Sequence, residues 1–185
     1  MSLRDIPNLI SLLRILLVIP VVLALLDERY VLALILSAIA GISDGIDGFL
    51  AKHFHWQSRL GSILDPIADK LLLVASFATL AWTGLIPMWL LWLVLARDII
   101  IVCGGLIYHY TIGEFELLPL WSSKINTALQ ILLVLLVIIE QQWLPMLHPA
   151  VTVGIWAVVA SVLYSGFEYV IIWGNKAWKQ RKRPS

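Results

Sequence analysis

The chain has few charged residues and a single cysteine. Only 14% of its 185 residues are charged and 61% are hydrophobic, whereas about a quarter of a soluble globular domain is charged. With Cys103 alone, no intramolecular disulfide can form. No polar stretch is long enough for a separate soluble domain, because short polar breaks only interrupt long apolar runs. The composition therefore excludes an ordinary soluble domain and indicates an integral membrane protein.

Six apolar segments are long enough to cross a bilayer as helices, which takes about twenty residues each. They are predicted at 6–26, 30–52, 60–83, 86–110, 120–141 and 149–174. The predicted fold is therefore an all-α integral membrane protein with six transmembrane helices in a single domain, 1–185. The first segment lacks a cleavage pattern, so we expect it to be retained as a span.

The distribution of basic residues predicts the orientation of these spans. Six spans place both termini on one side, and the last ten residues hold five of the thirteen Lys and Arg residues. The turn between the second and third spans is flanked by Lys52 and Arg59, whereas the connections on the opposite side hold one basic residue in all. Under the positive-inside rule, both termini, including a basic tail at 175–185, are cytoplasmic.

Four aspartates interrupt the second and third spans: Asp44, Asp47, Asp65 and Asp69. An ionised carboxylate inside a bilayer costs a few kcal/mol, so positive charge must lie among them. Helical spacing puts each pair on one face, and the short turn makes the two helices antiparallel neighbours. Carboxylate oxygens suit hard divalent cations, and two such ions can clamp a phosphate. The pattern favours a metal site that opens toward the cytoplasm.

The residues alone leave other interpretations open. The aspartates could form structural ion pairs with Lys52, Arg59 and Lys70, or they could line the pathway of a cation-coupled transporter. The outer halves of the spans carry few polar residues, which argues against a pathway through the membrane. Small residues near the aspartates favour either close helix packing or access for a phosphate-bearing ligand. These are Gly41, Gly45, Gly48, Ala51 and Gly61.

The spacing of the aspartates resembles the signature of the CDP-alcohol phosphatidyltransferases. That signature reads Asp-x-x-Asp-Gly-x-x-Ala-Arg, eight residues, then Gly-x-x-x-Asp-x-x-x-Asp. Seven positions match it with every gap correct: Asp44, Asp47, Gly48, Ala51, Gly61, Asp65 and Asp69. The chain departs from it at Lys52, which keeps the positive charge of the usual arginine but not its planar guanidinium group.

The resemblance implies an enzyme that transfers the phosphatidyl group of CDP-diacylglycerol to an alcohol and releases CMP. It implies two divalent cations, Mg²⁺ or Mn²⁺, held by all four motif aspartates. It also implies that Asp69 deprotonates the acceptor hydroxyl. The residues implied to bind CDP-diacylglycerol are Asp47, Gly48, Ala51, Lys52 and Gly61.

Two further stretches resemble the glycerol-type branch of that family. Ala96-Arg97-Asp98 and the segment 123–130 are similar to CMP-forming cardiolipin synthases, which implies phosphatidylglycerol as the acceptor. The alternative acceptor is glycerol 3-phosphate, as in phosphatidylglycerophosphate synthases. We predict that Arg97, Lys124 and Arg14 contact the acceptor. The alternatives are an ion pair of Arg97 with Asp98 and a structural ion pair for Arg14.

The distribution of basic residues and the resemblance together lead to expectations about location and partners. We expect a homodimer in the lipid bilayer of a bacterial inner (plasma) membrane, with the active site facing the cytoplasm. We expect no nucleic acid among the partners.

Overall fold

Helices joined by short turns make up the ranges that the structure, a computed structural model, describes. The backbone is described at 6–53, 61–112 and 121–181, and side chains at 9–46, 64–105 and 121–172. The helices are α1 (Ile6–Leu26), α2 (Tyr30–His53), α3 (Gly61–Trp82), α4 (Met88–Ile112), α5 (Trp121–Gln142) and α6 (His148–Arg181), with a 3₁₀ turn at Pro145–Leu147. The all-α prediction with six long helices is confirmed. Helix α6 continues beyond the predicted end of the last span at 174, so the basic tail begins as helix.

Four stretches of the described residues are long and apolar enough to cross a membrane. They are Leu9–Leu26, Met88–Gly105, Trp121–Gln142 and Pro145–Ile172. Helix α2 contributes a shorter apolar stretch, Tyr30–Ile46. Helix α3 is not among these stretches of the described residues. Its sequence near the beginning is Asp-Pro-Ile-Ala-Asp-Lys, and these charged residues lower its mean hydropathy. The count of six spans and their orientation therefore stay predictions.

Contacts divide the chain into two compact units. The first comprises Met1–Ile86 and Val134–Leu147, and the second comprises Pro87–Leu133 and His148–Ser185. In the first unit α1 packs against both α2 and α3. In the second unit α4 packs against α6, and the rings of Trp89 and Trp156 lie 6.2 Å apart between centroids.

Helix α1 has a buried face that is partly polar and an exposed face that is apolar. Ser11 and Arg14 are almost completely buried, and Val21 continues the same face two turns later. Leu13 and Ile19 are among the exposed apolar residues of the helix. An arrangement with polar groups inside and apolar groups outside suits a helix whose surroundings are lipid.

Two helices end in the same way, with a residue in the left-handed conformation. After α3, Gly84 has a φ of 79°, and Leu85 N–H donates to the carbonyl of Leu80 at 2.9 Å. After α1, Glu28 has a φ of 58° with the equivalent bond from Arg29 to Ala24 at 2.8 Å. Glycine accepts a positive φ without steric cost, but a residue with a Cβ does not.

The turn at Gly84 yields a stability prediction. Gly84→Ala should lower the free energy of unfolding by about 1 kcal/mol, because alanine is strained at positive φ. No described atom lies within 4 Å of a Cβ placed at Gly84, so steric contact adds nothing. The measurement is thermal unfolding in detergent micelles.

Gly41→Ala is the matched control for this prediction. Gly41 also has open space where a Cβ would lie, but it is within helix α2. Alanine there should leave stability unchanged or raise it by about 0.5–1 kcal/mol. If both substitutions shifted the unfolding temperature in the same direction, the account of the turn would be wrong.

Candidate active site

A buried arginine on α1 joins the carboxylates of two other helices. Arg14 is 1% exposed, and its Nη1 donates to Asp44 Oδ1 on α2 at 2.7 Å. The same nitrogen donates to Asp69 Oδ1 on α3 at 2.6 Å. Because both oxygens lie within hydrogen-bond distance of one nitrogen, the two carboxylates converge. Helix α1, which packs against both α2 and α3, therefore brings one aspartate of each predicted pair to a common cation.

A second side chain of α1 contacts a third motif aspartate. Ser11 is fully buried and its hydroxyl donates to Asp65 Oδ1. Ser11 lies one helical turn before Arg14, so both side chains project from one face of α1. Helix α1 thus contacts three of the four motif aspartates. The fourth, Asp47, lies on α2, and its side chain is outside the described residues.

The donor chemistry of the site fits a hard divalent cation. Asp44 and Asp69 offer carboxylate oxygens around a positive charge, and the side chains of both are about half exposed, at 43% and 52%. Oxygen ligands of this type are those that Mg²⁺ and Mn²⁺ prefer. Among the side chains that the structure describes, no group of three acidic, His or Cys residues lies close enough to hold an ion. The described carboxylates that converge are those of Asp44 and Asp69.

The glycines beside Asp44 face open space. A Cβ at Gly41 or Gly45 would meet no described atom within 4 Å. Close packing against another described helix therefore does not explain why these two positions are glycine. The absence of side chains there leaves open space beside the Asp44 carboxylate. The remaining residues predicted to bind CDP-diacylglycerol lie outside the described side chains. They are Asp47, Gly48, Ala51, Lys52 and Gly61.

The basic residue predicted on α4 already has partners. Arg97 is 7% exposed, and its Nη1 lies 3.0 Å from Asp98 Oδ1. Its Nη2 donates to Ser165 of α6, and its guanidinium carbon lies 5.9 Å from the centroid of the Tyr169 ring. The ion pair with Asp98 that the sequence suggested as the alternative role is present.

The other two basic residues predicted to contact the acceptor differ in burial. Lys124 is exposed at the beginning of α5, where its Nζ lies 5.1 Å from the ring centroid of Trp121. Arg14 makes the structural ion pairs that were its alternative role. Acceptor contact by Arg14, Arg97 and Lys124 stays a prediction.

The sequence reasoning missed Ser11 and the serines of α6. Ser161 donates to Asn126 Oδ1 on α5 at 2.8 Å, and Ser165 accepts from Arg97. Polar residues three or four positions apart in apolar helices were the available signal. Ser11 with Arg14 and Ser161 with Ser165 both show that spacing.

A cavity of about 300 Å³ lies at the other end of α2. Its lining includes Arg29, Tyr30, Ile35 and Gln142. Tyr30 and Asp44 are roughly 21 Å apart along the helix, at 1.5 Å per residue. The cavity is therefore separate from the aspartate site.

Comparison with known proteins gives a family for this chain. The sequence model described as CDP-alcohol phosphatidyltransferase matches residues 4–165. The CMP-forming cardiolipin synthase of Rattus norvegicus is 34% identical over 145 residues, which cover 70% of this chain and 48% of that protein. The CDP-diacylglycerol–glycerol-3-phosphate 3-phosphatidyltransferase of Aquifex aeolicus is 36% identical over 107 residues, which cover 55% of this chain and 58% of that protein.

A third relative covers more of the sequence. The protein named "Probable phosphatidylglycerophosphate synthase" of Mycobacterium tuberculosis is 28% identical over 176 residues, which cover 90% of this chain and 80% of that protein. The chain spans about half the length of the cardiolipin synthases of Rattus norvegicus, Homo sapiens and Drosophila melanogaster that it matches. The family match includes α1 with Arg14 and all four motif aspartates. The chain therefore belongs to the CDP-alcohol phosphatidyltransferase family.

Proposed function

We propose that the chain transfers the phosphatidyl group of CDP-diacylglycerol to an alcohol and releases CMP. The observation that carries this proposal is the convergence of Asp44 and Asp69 on Arg14. The convergence places two residues of the family signature in one charged site. Enzymes of this family are transferases and generally depend on divalent cations.

The four motif aspartates would hold two divalent cations, Mg²⁺ or Mn²⁺. When bound, the cations would neutralise the diphosphate of the substrate and the charge of the departing CMP. Arg14 fixes Asp44 and Asp69 relative to each other, and Ser11 orients Asp65. The role of Asp47 rests on the match to the signature.

Asp69 is the residue proposed to act as general base. Its side chain is 52% exposed, so an acceptor hydroxyl can come within hydrogen-bond distance of it. The hydroxyl proton moves to the Asp69 carboxylate, and the hydroxyl oxygen bonds to the β-phosphorus of CDP-diacylglycerol. The bond between that phosphorus and the bridging oxygen breaks, and CMP leaves with the electron pair.

The substrate site is proposed to lie beside Asp44. The residues assigned to CDP-diacylglycerol are Asp47, Gly48, Ala51, Lys52 and Gly61. The open space at Gly41 and Gly45 supports this assignment, because a bulky diphosphate needs a helix surface without side chains.

Phosphatidylglycerol is the acceptor that we favour, which makes the chain a cardiolipin synthase. The choice rests on the resemblance of Ala96-Arg97-Asp98 and the segment 123–130 to the CMP-forming cardiolipin synthases. Glycerol 3-phosphate is the alternative acceptor, because the relatives of similar identity include synthases of both kinds.

Location and assembly extend the proposal. The basic residues at the ends of α2 and α6 favour a site that faces the cytoplasm, in a bacterial inner (plasma) membrane. A homodimer is the assembly we expect. Family membership favours the transferase over the cation-coupled transporter considered from the residues alone.

The proposed activity is tested with the purified chain in mixed micelles. Radiolabelled CDP-diacylglycerol with Mg²⁺ or Mn²⁺ is offered phosphatidylglycerol or glycerol 3-phosphate in separate reactions. Release of CMP and formation of cardiolipin with phosphatidylglycerol alone is the expected result. Product formation with glycerol 3-phosphate alone would support the transferase activity but make glycerol 3-phosphate the acceptor. No CMP release with any alcohol would refute the transferase activity.

Asp69→Asn tests the general base. CMP release should fall by about 10²–10⁴-fold, because an amide cannot accept the acceptor's proton. The control is Asp27→Asn, which makes the same change at an exposed position outside the site. Equal rates for Asp69→Asn and the unmodified chain, with both folded, would assign the base to another residue.

Ser11→Ala tests whether α1 positions the carboxylates. Loss of the bond to Asp65 should lower kcat/KM about tenfold, because one hydrogen bond to a charged group contributes roughly 1.5 kcal/mol or more. It should also weaken Mn²⁺ binding measured by electron paramagnetic resonance. Ser11→Thr, which keeps the hydroxyl, should retain most of both.

Ser76→Ala is the matched control for Ser11→Ala. Ser76 is also a buried serine, but it lies two helical turns beyond Asp69 on α3. It should change Mn²⁺ affinity by less than about twofold. If Ser11→Ala left the Mn²⁺ affinity unchanged, the Ser11 hydroxyl would not position Asp65 for metal binding, and its role would be in helix packing only.

A further inference from the structure

The cavity at the beginning of α2 lies wholly within the first unit. It is lined by the residue before α2, the first two turns of α2 and the last residue of α5. Its volume of about 300 Å³ is that of a small ligand site. The lining residues are Arg29, Tyr30, Val31, Leu32, Ile35 and Gln142. None of them belongs to the aspartate site, so the proposed transfer does not use this cavity.

The polar part of the lining suits a phosphate that carries one negative charge. Arg29 is the charged residue of the lining, and its side chain is exposed. Asp27 and Glu28 precede it, but no carboxylate among the described side chains forms an ion pair with it. A guanidinium group binds a phosphate through parallel N–H bonds. The hydroxyl of Tyr30 and the amide of Gln142 add groups that can donate to further oxygens.

The apolar part of the lining continues along α2. Leu32, Ile35, Ile39 and Ile42 are exposed and alternate at three and four positions, so they form one apolar stripe, the α2 stripe. Leu32 and Ile42 are about 15 Å apart along the helix, which is half the thickness of the hydrocarbon core of a bilayer. An acyl chain that begins in the cavity therefore has an apolar helix surface beside it as far as the bilayer midplane.

We propose that the cavity binds a phospholipid of the leaflet opposite to the aspartate site, with its phosphodiester on Arg29 and one acyl chain along the α2 stripe. The two ends of α2 lie in opposite leaflets because this helix is predicted to cross the bilayer. Gln142 contacts the same headgroup, so the lipid joins the end of α5 to the beginning of α2. The α2 stripe favours a lipid over free phosphate.

The test measures thermal unfolding of the delipidated chain in dodecyl maltoside, a detergent without phosphate, with EDTA to remove divalent cations. A ligand that binds only the folded chain raises the unfolding temperature. Didecanoyl phosphatidylglycerol should raise it, because its uncharged glycerol headgroup brings no second cation next to Arg29. Didecanoylglycerol, with the same chains and no phosphate, should not, and neither should inorganic phosphate. An equal rise with either of these two probes would overturn the proposal.

Substitutions in the lining assign the effect to the cavity. Arg29→Gln should weaken the apparent affinity for phosphatidylglycerol about tenfold, the equivalent of one hydrogen bond to a charged group. Arg29→Lys should retain more of the affinity than Arg29→Gln, because it keeps the positive charge.

Two neighbouring glutamines provide a matched pair. Gln142→Leu should weaken the affinity at least about threefold, because its amide lines the cavity. Gln141→Leu is the control, since Gln141 is also exposed but is not part of the lining, and it should change the affinity by less than about twofold. If Arg29→Gln fails to fold, this pair provides the comparison.

The outcomes separate this site from the aspartate site, which also is proposed to bind phospholipids. A rise in unfolding temperature that persists unchanged in both Arg29→Gln and Gln142→Leu would place the lipid elsewhere and overturn the proposal. A rise lost in these two variants and kept in Gln141→Leu would support it. The inference does not depend on the proposed phosphatidyl transfer, so failure of either would leave the other intact.

Discussion

The buried guanidinium group of Arg14 is the interaction on which the first unit depends. A positive charge in an apolar interior is costly unless it is paired and hydrogen-bonded. Asp44 and Asp69 supply that pairing from two different helices at 2.7 and 2.6 Å. The contact fixes the register of α1 against α2 and α3, because a shift of one residue would turn Arg14 away from both carboxylates. The positive charge of Arg14, which would be destabilising in lipid without a partner, thus determines where Asp44 and Asp69 meet.

The second unit contains a buried arginine with a different arrangement. The acid partner of Arg97 is the next residue on its own helix, so this ion pair does not connect helices. The connection to α6 comes from Ser165 and from the ring of Tyr169. The guanidinium group of Arg14 therefore binds carboxylates from two separate helices. Arg97 instead forms a neutral ion pair with Asp98 and a hydrogen bond to Ser165.

Much of the fold followed from the sequence because the apolar runs are long and the polar breaks are short. Five of the six helices begin and end within about two residues of the predicted spans, which is the usual scatter of helix ends. The signature aspartates were identifiable because an ionised carboxylate inside an apolar membrane segment is energetically costly and therefore indicates a functional site. The pairing of Arg14 with Asp44 and Asp69 was not identifiable from the sequence. Periodicity predicts which face of a helix is buried, but not the depth at which that face meets a neighbouring helix. The contact of Ser11 with Asp65 was not predicted for a related reason, because a single neutral polar residue in a membrane helix is compatible with several roles.

The central claim is that Arg14 and the signature carboxylates form one interacting site. A double-mutant cycle on the free energy of unfolding tests it most directly, with Arg14→Gln and Asp69→Asn measured singly and together in detergent. The account predicts a coupling energy of about 1–2 kcal/mol, because removal of either partner leaves the other charge less well paired. Additive effects of the two substitutions would show that the residues do not interact and would contradict the account.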